Sequence, residues 1–445
     1  MERVFKRKIY EKLLRWKEQR KGATALLIEG ARRVGKSTIV KQFAQSEYKS
    51  YILIDFNNTT QAIRDLFDDL TDMNMFFMLL QQQTHVKLYE RDSLIIFDEV
   101  QKFPIARQAV KYLVADGRYD YIETGSLISI KKNTKDITIP SEEIRISMYP
   151  MDYDEFRWAL ADEVTPDLLP QFYQKGIPLG PTHRKAIRDF RLYMLVGGMP
   201  QAVNAYLDTN NLSDVDQVKR DIIKLYLDDF RKIDPTGRVE KLFLNIPAQL
   251  SNNVSRYMPY QAIGEVKGDK MLEFLNDLED SKTVLMCYRC NDPNVGMSLT
   301  QDQERYKMFL ADTGLFVTLA FWDKDVTENI IYSKLLNDKL QTNLGYIYEN
   351  IVAQTIVATG QKLFYYTFPS EDGKRLYEVD FLLSKESKLW PLEVKSSGYK
   401  THQSLDEFCS KYPSRVSKRF LITTKDYEQQ QQTTILPVYM TSLLK

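Results

Sequence analysis

Residues 30–37 read Gly-Ala-Arg-Arg-Val-Gly-Lys-Ser, which keeps the G-x-x-x-x-G-K-S spacing of a phosphate-binding loop. Gly30 and Gly35 let the backbone bend so that successive N–H groups and a helix N-terminus aim at the β-phosphate. Lys36 would reach the β- and γ-phosphates, and the Ser37 hydroxyl would bind Mg²⁺. Ala31, Arg32, Arg33, Val34 and Thr38 complete the cradle. Arg32 and Arg33 either add positive charge beside the phosphates or stay solvated. The flanks suit the loop: Ala25–Ile28 reads as a short buried strand, and Thr38–Ala44 has helical spacing. The motif implies a nucleoside triphosphate site.

A second half-site lies downstream. Ser93–Phe97 is an unbroken apolar run that ends in Asp98 and Glu99, as expected of a buried parallel strand carrying ligands at its C-terminal end. Asp98 would hold Mg²⁺ and Glu99 would polarise an attacking water. The alternative is an acidic pair that merely opens a helix. A third strand, Tyr119–Thr124, leads into Gly125-Ser126, and Thr124 or Ser126 can reach the γ-phosphate or the lytic water. Another strand, Tyr51–Phe56, lies between loop and carboxylates. This order fits an αβα sandwich on a parallel sheet.

The C-terminal third holds a separate constellation. Tyr377–Leu383 reads as one strand and Leu389–Lys395 as the next, giving Asp380-x₁₂-Glu393-x-Lys395. This resembles the PD-(D/E)xK nuclease signature. In such a site Asp380 and Glu393 share one Mg²⁺, Lys395 positions a water or stabilises charge, and Glu349, on an amphipathic helix upstream, adds a third carboxylate. Val379 stands where the signature has Pro. A salt-bridged Asp–Glu–Lys cluster in an inactive fold is the competing reading.

The runs LLIEGARRVGKST, LIIFDEVQKFP, DYIETGSL and MYPMDYDEF resemble a bacterial and archaeal group of AAA-type ATPases. That resemblance implies an ATPase module, a winged-helix segment and a C-terminal domain of restriction-endonuclease-like fold. It also implies ATP and Mg²⁺ as ligands, with Lys36, Glu99 and Thr124 at the reacting phosphate. AAA-type enzymes usually borrow an arginine from a neighbouring subunit, so a homo-oligomer is expected. Arg145 and Arg118 are candidates by position only.

These residues need a scaffold to hold them. The chain divides into an α/β core at 1–150, a helical lid at 151–213 broken at Pro166–Pro181, a winged-helix-like segment at 214–330 and a nuclease-like α/β domain at 331–445. Residues 1–20 form a basic amphipathic helix that packs Ile9, Leu13, Leu14 and Trp16 on the core. Lys131–Glu143 reads as a long loop, and Gln429–Gln432 as a solvated loop before a last strand, Thr434–Met440. The predicted last helix of the winged segment, Met271–Asp280, carries four carboxylates, which disfavours contact with DNA phosphates.

With 61 Lys plus Arg against 60 Asp plus Glu, the chain has a formal charge of +1 and no bulk signature of a nucleic-acid binder. Three cysteines are too few for a disulfide framework, and Cys287-x-x-Cys290 lacks a second ligand pair for zinc. No apolar stretch is long enough to span a membrane, and the cytoplasm is the expected location. Two functions fit: an ATP-driven enzyme whose C-terminal domain cuts or holds DNA, or a nucleotide-gated switch that binds a protein partner through a silent nuclease-like domain.

Overall fold

The computed structural model describes residues 3–125, 141–252, 255–324, 327–337 and 345–445. Ser126 and residues 131–140 of the expected loop lie outside these. The chain forms two compact units: Met1–Tyr149 with Asp280–Lys282, and Pro150–Glu279 with Thr283–Lys445.

The first unit is built on five parallel strands: β1 (Ala25–Glu29), β2 (Ser50–Asp55), β3 (Ser93–Asp98), β4 (Asp120–Gly125) and β5 (Glu143–Ser147). Their order is β2-β3-β4-β1-β5. Side chains alternate across the sheet, and each face has its own core. On one face Leu27, Ile54, Ile95, Phe97 and Tyr121 meet the helices Met73–Thr84 and Pro104–Asp116. On the other, Leu26, Ile28, Leu94, Ile96 and Ile122 meet α1 (Ile9–Arg20) and α2 (Lys36–Glu47). Both faces are covered, so β1 and β3 read as continuous apolar runs. Helix α1 buries Ile9, Leu13 and Trp16. The unit is a P-loop-type αβα sandwich.

The strand order matters to the site. β4 lies between β1 and β3, in register Ile28↔Thr124 on one side and Phe97↔Glu123 on the other. Thr124, one residue before the end of β4, is thereby level with Asp98 and one strand away from the loop that follows β1.

The second unit opens with helices Tyr153–Ala159, Val164–Lys175, His183–Val196, Pro200–Thr209 and Leu212–Ile233. The break expected at Pro166–Pro181 is shorter, because a helix runs through to Lys175. Pro166 sits in its first turn, where no backbone donor is needed, and Pro170 is accommodated inside it. Farther on, the helix Gly268–Asp280 precedes an antiparallel pair, β6 (Val284–Cys290) and β7 (Gln301–Leu310).

That pair is not a free hairpin. β6 also pairs in parallel with β8 (Leu363–Pro369), which pairs with β9 (Leu376–Val379), giving the order β7-β6-β8-β9. One sheet therefore draws strands from both sides of residue 330.

A second, mixed sheet has the order β10-β11-β12-β14-β13. Its strands are β10 (Phe381–Lys385), β11 (Lys388–Lys395), β12 (Arg419–Thr423), β13 (Glu428–Gln430) and β14 (Thr433–Pro437). Three expectations are corrected here. Tyr377–Leu383 is two strands in two sheets, divided at Asp380. Gln429 and Gln430 of the expected glutamine loop belong to an exposed edge strand, Glu428–Gln430. The last strand ends at Pro437 and continues as a 3₁₀ turn, Val438–Leu443.

Candidate functional site

The nucleotide-site candidates converge at the C-terminal ends of β1, β3 and β4. Gly30 follows β1 so closely beneath the neighbouring chain that an added Cβ would lie 2.4 Å from the Met148 carbonyl oxygen. Arg33 (φ 67°) and Gly35 (φ 101°) take left-handed backbone, which turns the chain back into α2. Lys36 begins that helix and is buried. Its ammonium donates to the Gly30 and Ala31 carbonyls at 2.9 and 3.0 Å, curling the loop around itself. Burial pulls the Lys36 pKa down to about 8 against the opposing pull of Glu99 and Asp98, while nearby Arg32 lowers it further.

The Ser37 hydroxyl donates 2.8 Å to Asp98 Oδ1, and the Thr124 hydroxyl donates to the same oxygen. A hydroxyl and a carboxylate placed side by side are the hard oxygen donors that Mg²⁺ prefers, so Ser37 and Asp98 fit the cation. Glu99 follows with φ 55°, a left-handed conformation unusual for a side chain with a Cβ. Its Oε2 accepts a 2.5 Å bond from Gln101 Nε2. Gln101 was not foreseen, though it stands two residues from Glu99 in the same run. A second contributor missed from sequence is Arg7. It donates to the Val34 carbonyl at 3.0 Å and to the Tyr149 carbonyl at 2.6 Å, bracing the loop from outside.

The two positional arginines are both engaged. Arg118 pairs with Asp116 at 2.7 Å and Arg145 with Glu143 at 2.8 Å. Arg107, wholly buried, shares Glu143 with Arg145, binding it at 2.7 Å. Burial, then the neighbouring Glu143 carboxylate, hold the Glu123 carboxyl well above the usual range.

The C-terminal constellation assembles in the second unit. Asp380 sits where the chain leaves β9 for β10. The register Phe381↔Leu392 would put it opposite Glu393, and its Oδ2 accepts 2.7 Å from the Val394 N–H, taking over a ladder bond. Glu393 Oε1 pairs with Lys395 at 2.9 Å, and its Oε2 accepts from the Leu405 N–H at 3.3 Å. Glu349, on the helix Gly345–Ala358, lies 3.6 Å from Lys307, which also meets Glu378 at 2.5 Å.

Lys307 and Glu378 had no sequence signal, since Lys307 stands on β7, far along the chain. Burial raises the Asp380 carboxyl well above the usual range, and the surrounding carboxylates add to this while Lys307 opposes it. Burial also raises Glu349, again against Lys307. Among the described residues no three His, Cys, Asp or Glu side chains form a group able to hold a metal ion. Glu349, Asp380 and Glu393 are thus neighbours in charge, yet each is turned to a protein partner.

Residues 23–157 match the family model of an AAA domain. The chain carries an AAA-type P-loop ATPase domain. Residues 187–326 and 344–442 match two families described only as domains of unknown function, DUF8612 and DUF4143. No curated protein matches the chain.

Among solved structures, a Walker-type ATPase of Pyrococcus abyssi is similar at 16% identity over 71% of this chain and 96% of its own, with a TM-score of 0.42. The Aeropyrum pernix Orc1 protein in complex with DNA aligns at 10% identity over 76% and 94%, TM-score 0.29. The Thermotoga maritima RuvB Holliday junction branch migration motor aligns at 11% over 63% and 89%, TM-score 0.28. At such scores these likenesses carry no functional weight. No described helix is long and apolar enough to cross a membrane.

Proposed function

We infer that this protein hydrolyses ATP with Mg²⁺ at the loop between β1 and α2. The observation that carries this reading is the meeting of Ser37 and Thr124 on one oxygen of Asp98, beside the buried Lys36. Held by Ser37 and Asp98, Mg²⁺ would neutralise phosphate charge. Lys36 would exchange its two carbonyl partners for β- and γ-phosphate oxygens. Glu99, oriented by Gln101, would accept the proton of the attacking water, and Thr124 would face the γ-phosphate. Turnover of this kind is mostly positioning, and an arginine from a second copy would raise it by about 10³–10⁵.

For the second unit we favour the switch over the DNA-cutting enzyme. Its helices within residues 151–213 would act as the lid, the later helices and the β6–β7 pair within 214–330 as a winged-helix-like segment, and the sheet β10–β14 as a nuclease-like module that binds without cutting. The observation favouring this is that each of the three carboxyls already faces a protein partner: Asp380 the Val394 N–H, Glu393 both Lys395 and the Leu405 N–H, and Glu349 Lys307. A DNA-acting role remains the second reading, drawn from the nuclease-like signature, and a cytoplasmic location goes with either.

The deciding experiment is steady-state ATP hydrolysis with Mg²⁺, with and without single- and double-stranded DNA, using Glu99→Gln as control. Hydrolysis that is lost in the control and indifferent to DNA is expected. Stimulation by DNA would overturn the switch, and undiminished turnover by Glu99→Gln would overturn the site.

A further inference from the structure

The cluster around Asp380 gathers side chains from five elements: Lys307 from β7, Glu349 from a helix, Glu378 from β9, Asp380 from the β9–β10 junction, and Glu393 with Lys395 from β11. A metal-dependent nuclease would place a divalent cation among Glu349, Asp380 and Glu393. Here that need is met from within the chain. The Lys307 ammonium lies 2.5 Å from Glu378 and 3.6 Å from Glu349. Lys395 lies 2.9 Å from Glu393, and Asp380 is fixed to the Val394 N–H at 2.7 Å.

Buried charges persist only where they are paired or hydrogen-bonded: Glu349 and Glu393 each have an ammonium partner, and Asp380 has the Val394 N–H. Four carboxylates against two ammoniums leave negative charge over. Burial holds the Asp380 and Glu349 carboxyls above their usual range, and the Glu349 and Glu378 side chains, 22% and 24% exposed, reach water while Lys307 is 6% exposed. The backbone of Lys307 is fixed in the sheet by the pairing Cys287↔Lys307 and its side chain is buried, so its charge is part of the scaffold and not a passing surface contact.

We propose that Lys307 holds the place of the divalent cation, closing this nuclease-like site to metal. The proposal rests on the silent-module reading above and goes further in naming the residue responsible. It also joins two segments that match separate families: the site in residues 344–442 is completed by a lysine from residues 187–326.

The test is Mn²⁺ binding to the nucleotide-free full chain, read by electron paramagnetic resonance of free Mn²⁺, for the wild type, Asp380→Asn, Lys307→Met and the double variant. The wild type should show no Mn²⁺ that Asp380→Asn removes. Lys307→Met, which keeps the stem and deletes the charge, should gain one Mn²⁺ per chain, lost again in the double variant.

An Asp380-dependent Mn²⁺ in the wild type would overturn the proposal, as would a folded Lys307→Met that gains none. The wild-type titration decides the matter even where Lys307→Met does not fold. Cleavage of plasmid DNA by the wild type, followed in parallel, separates the two claims. Asp380-dependent Mn²⁺ without cleavage removes the role of Lys307 but leaves the silent module standing. Asp380-dependent cleavage removes both.

Discussion

The Ser37 hydroxyl donates a 2.8 Å hydrogen bond to Asp98 Oδ1, tying the first turn of α2 to the end of β3 across the intervening strand β4. Thr124, at the end of β4, donates to the same oxygen. Asp98 is thereby held in one orientation by two hydroxyls, the arrangement that fixes a carboxylate for metal binding. Thr124→Val should raise the Mg²⁺ concentration needed for half-maximal hydrolysis by about 10–100-fold, and Asp98→Asn should raise it further. Mg²⁺ titrations of steady-state turnover measure both. An unchanged Mg²⁺ requirement in Asp98→Asn would remove the carboxylate from the site.

Glu99 is set apart from Asp98 by its backbone. With φ 55° its side chain leaves the strand direction, and Gln101 holds the carboxylate at 2.5 Å. Glu99→Gln keeps the shape and loses the base, so kcat should fall by about 10²–10⁴ while ATP stays bound. Gln101→Ala should lower kcat less, by about tenfold, which is roughly 1.4 kcal/mol, with KM unchanged because Gln101 orients the base and does not hold phosphate. Single-turnover hydrolysis alongside equilibrium binding of a fluorescent ATP analogue separates the two effects. A Gln101→Ala variant with raised KM and normal kcat would assign Gln101 to binding instead.

Part of this was legible in the sequence because it is local. The loop, its strand and its helix are contiguous, and β3 reads as a buried run because helices cover both faces of its sheet. The order β2-β3-β4-β1-β5 is not local, and so neither was the meeting of Ser37 and Thr124 on one oxygen of Asp98.

At the C-terminal cluster the limit is clearer. Asp380 and Glu393 were readable from a hairpin register. The break of one apolar run into β9 and β10 was not, because apolar residues flank Asp380 on both sides. Lys307 was invisible, since it reaches the cluster only once β6 pairs with β8. The helix Val164–Lys175 shows the opposite error, since it runs through the first part of the break expected at Pro166–Pro181.

Arg7 precedes α1 and is buried, with its guanidinium shared between the Val34 and Tyr149 carbonyls. Hydrogen bonds to a charged group contribute about 1.5–3 kcal/mol, and here one of them clamps the loop that must receive phosphate. Arg7→Ala should therefore lower the thermal midpoint and raise KM for ATP by about tenfold, equal to about 1.4 kcal/mol, with kcat little changed. Thermal melts with and without ATP, set beside initial-rate kinetics, check this. A lower melting point with KM unaltered would leave Arg7 a purely structural brace.

Lys219 tests the second unit. It is fully buried on the helix Leu212–Ile233, donating to the Leu195 and Gly314 carbonyls at 2.7 and 3.2 Å and to the Tyr332 hydroxyl at 3.3 Å. Beside it Asp216 accepts from Tyr332, Thr318, Arg220 and the Thr327 N–H. Burial lowers the Lys219 pKa to about 8, with Asp216 and Asp312 opposing the shift and Arg220 adding to it.

An unfolded lysine keeps its proton to about pH 10.4. Between about pH 8 and that value the unfolded chain binds more protons than the folded one, so this group makes stability rise with pH. Below pH 8 both states are protonated and the slope vanishes. From pH 8 to 9.5 the gain reaches at most about 2 kcal/mol, at 1.36 kcal/mol per pH unit. Comparing wild type with Lys219→Met across this range cancels the tyrosines and other lysines. The wild type should gain on the variant as pH rises, measured by urea unfolding at each pH. Parallel stability curves would mean that the folded Lys219 keeps its proton and that Asp216 outweighs its burial.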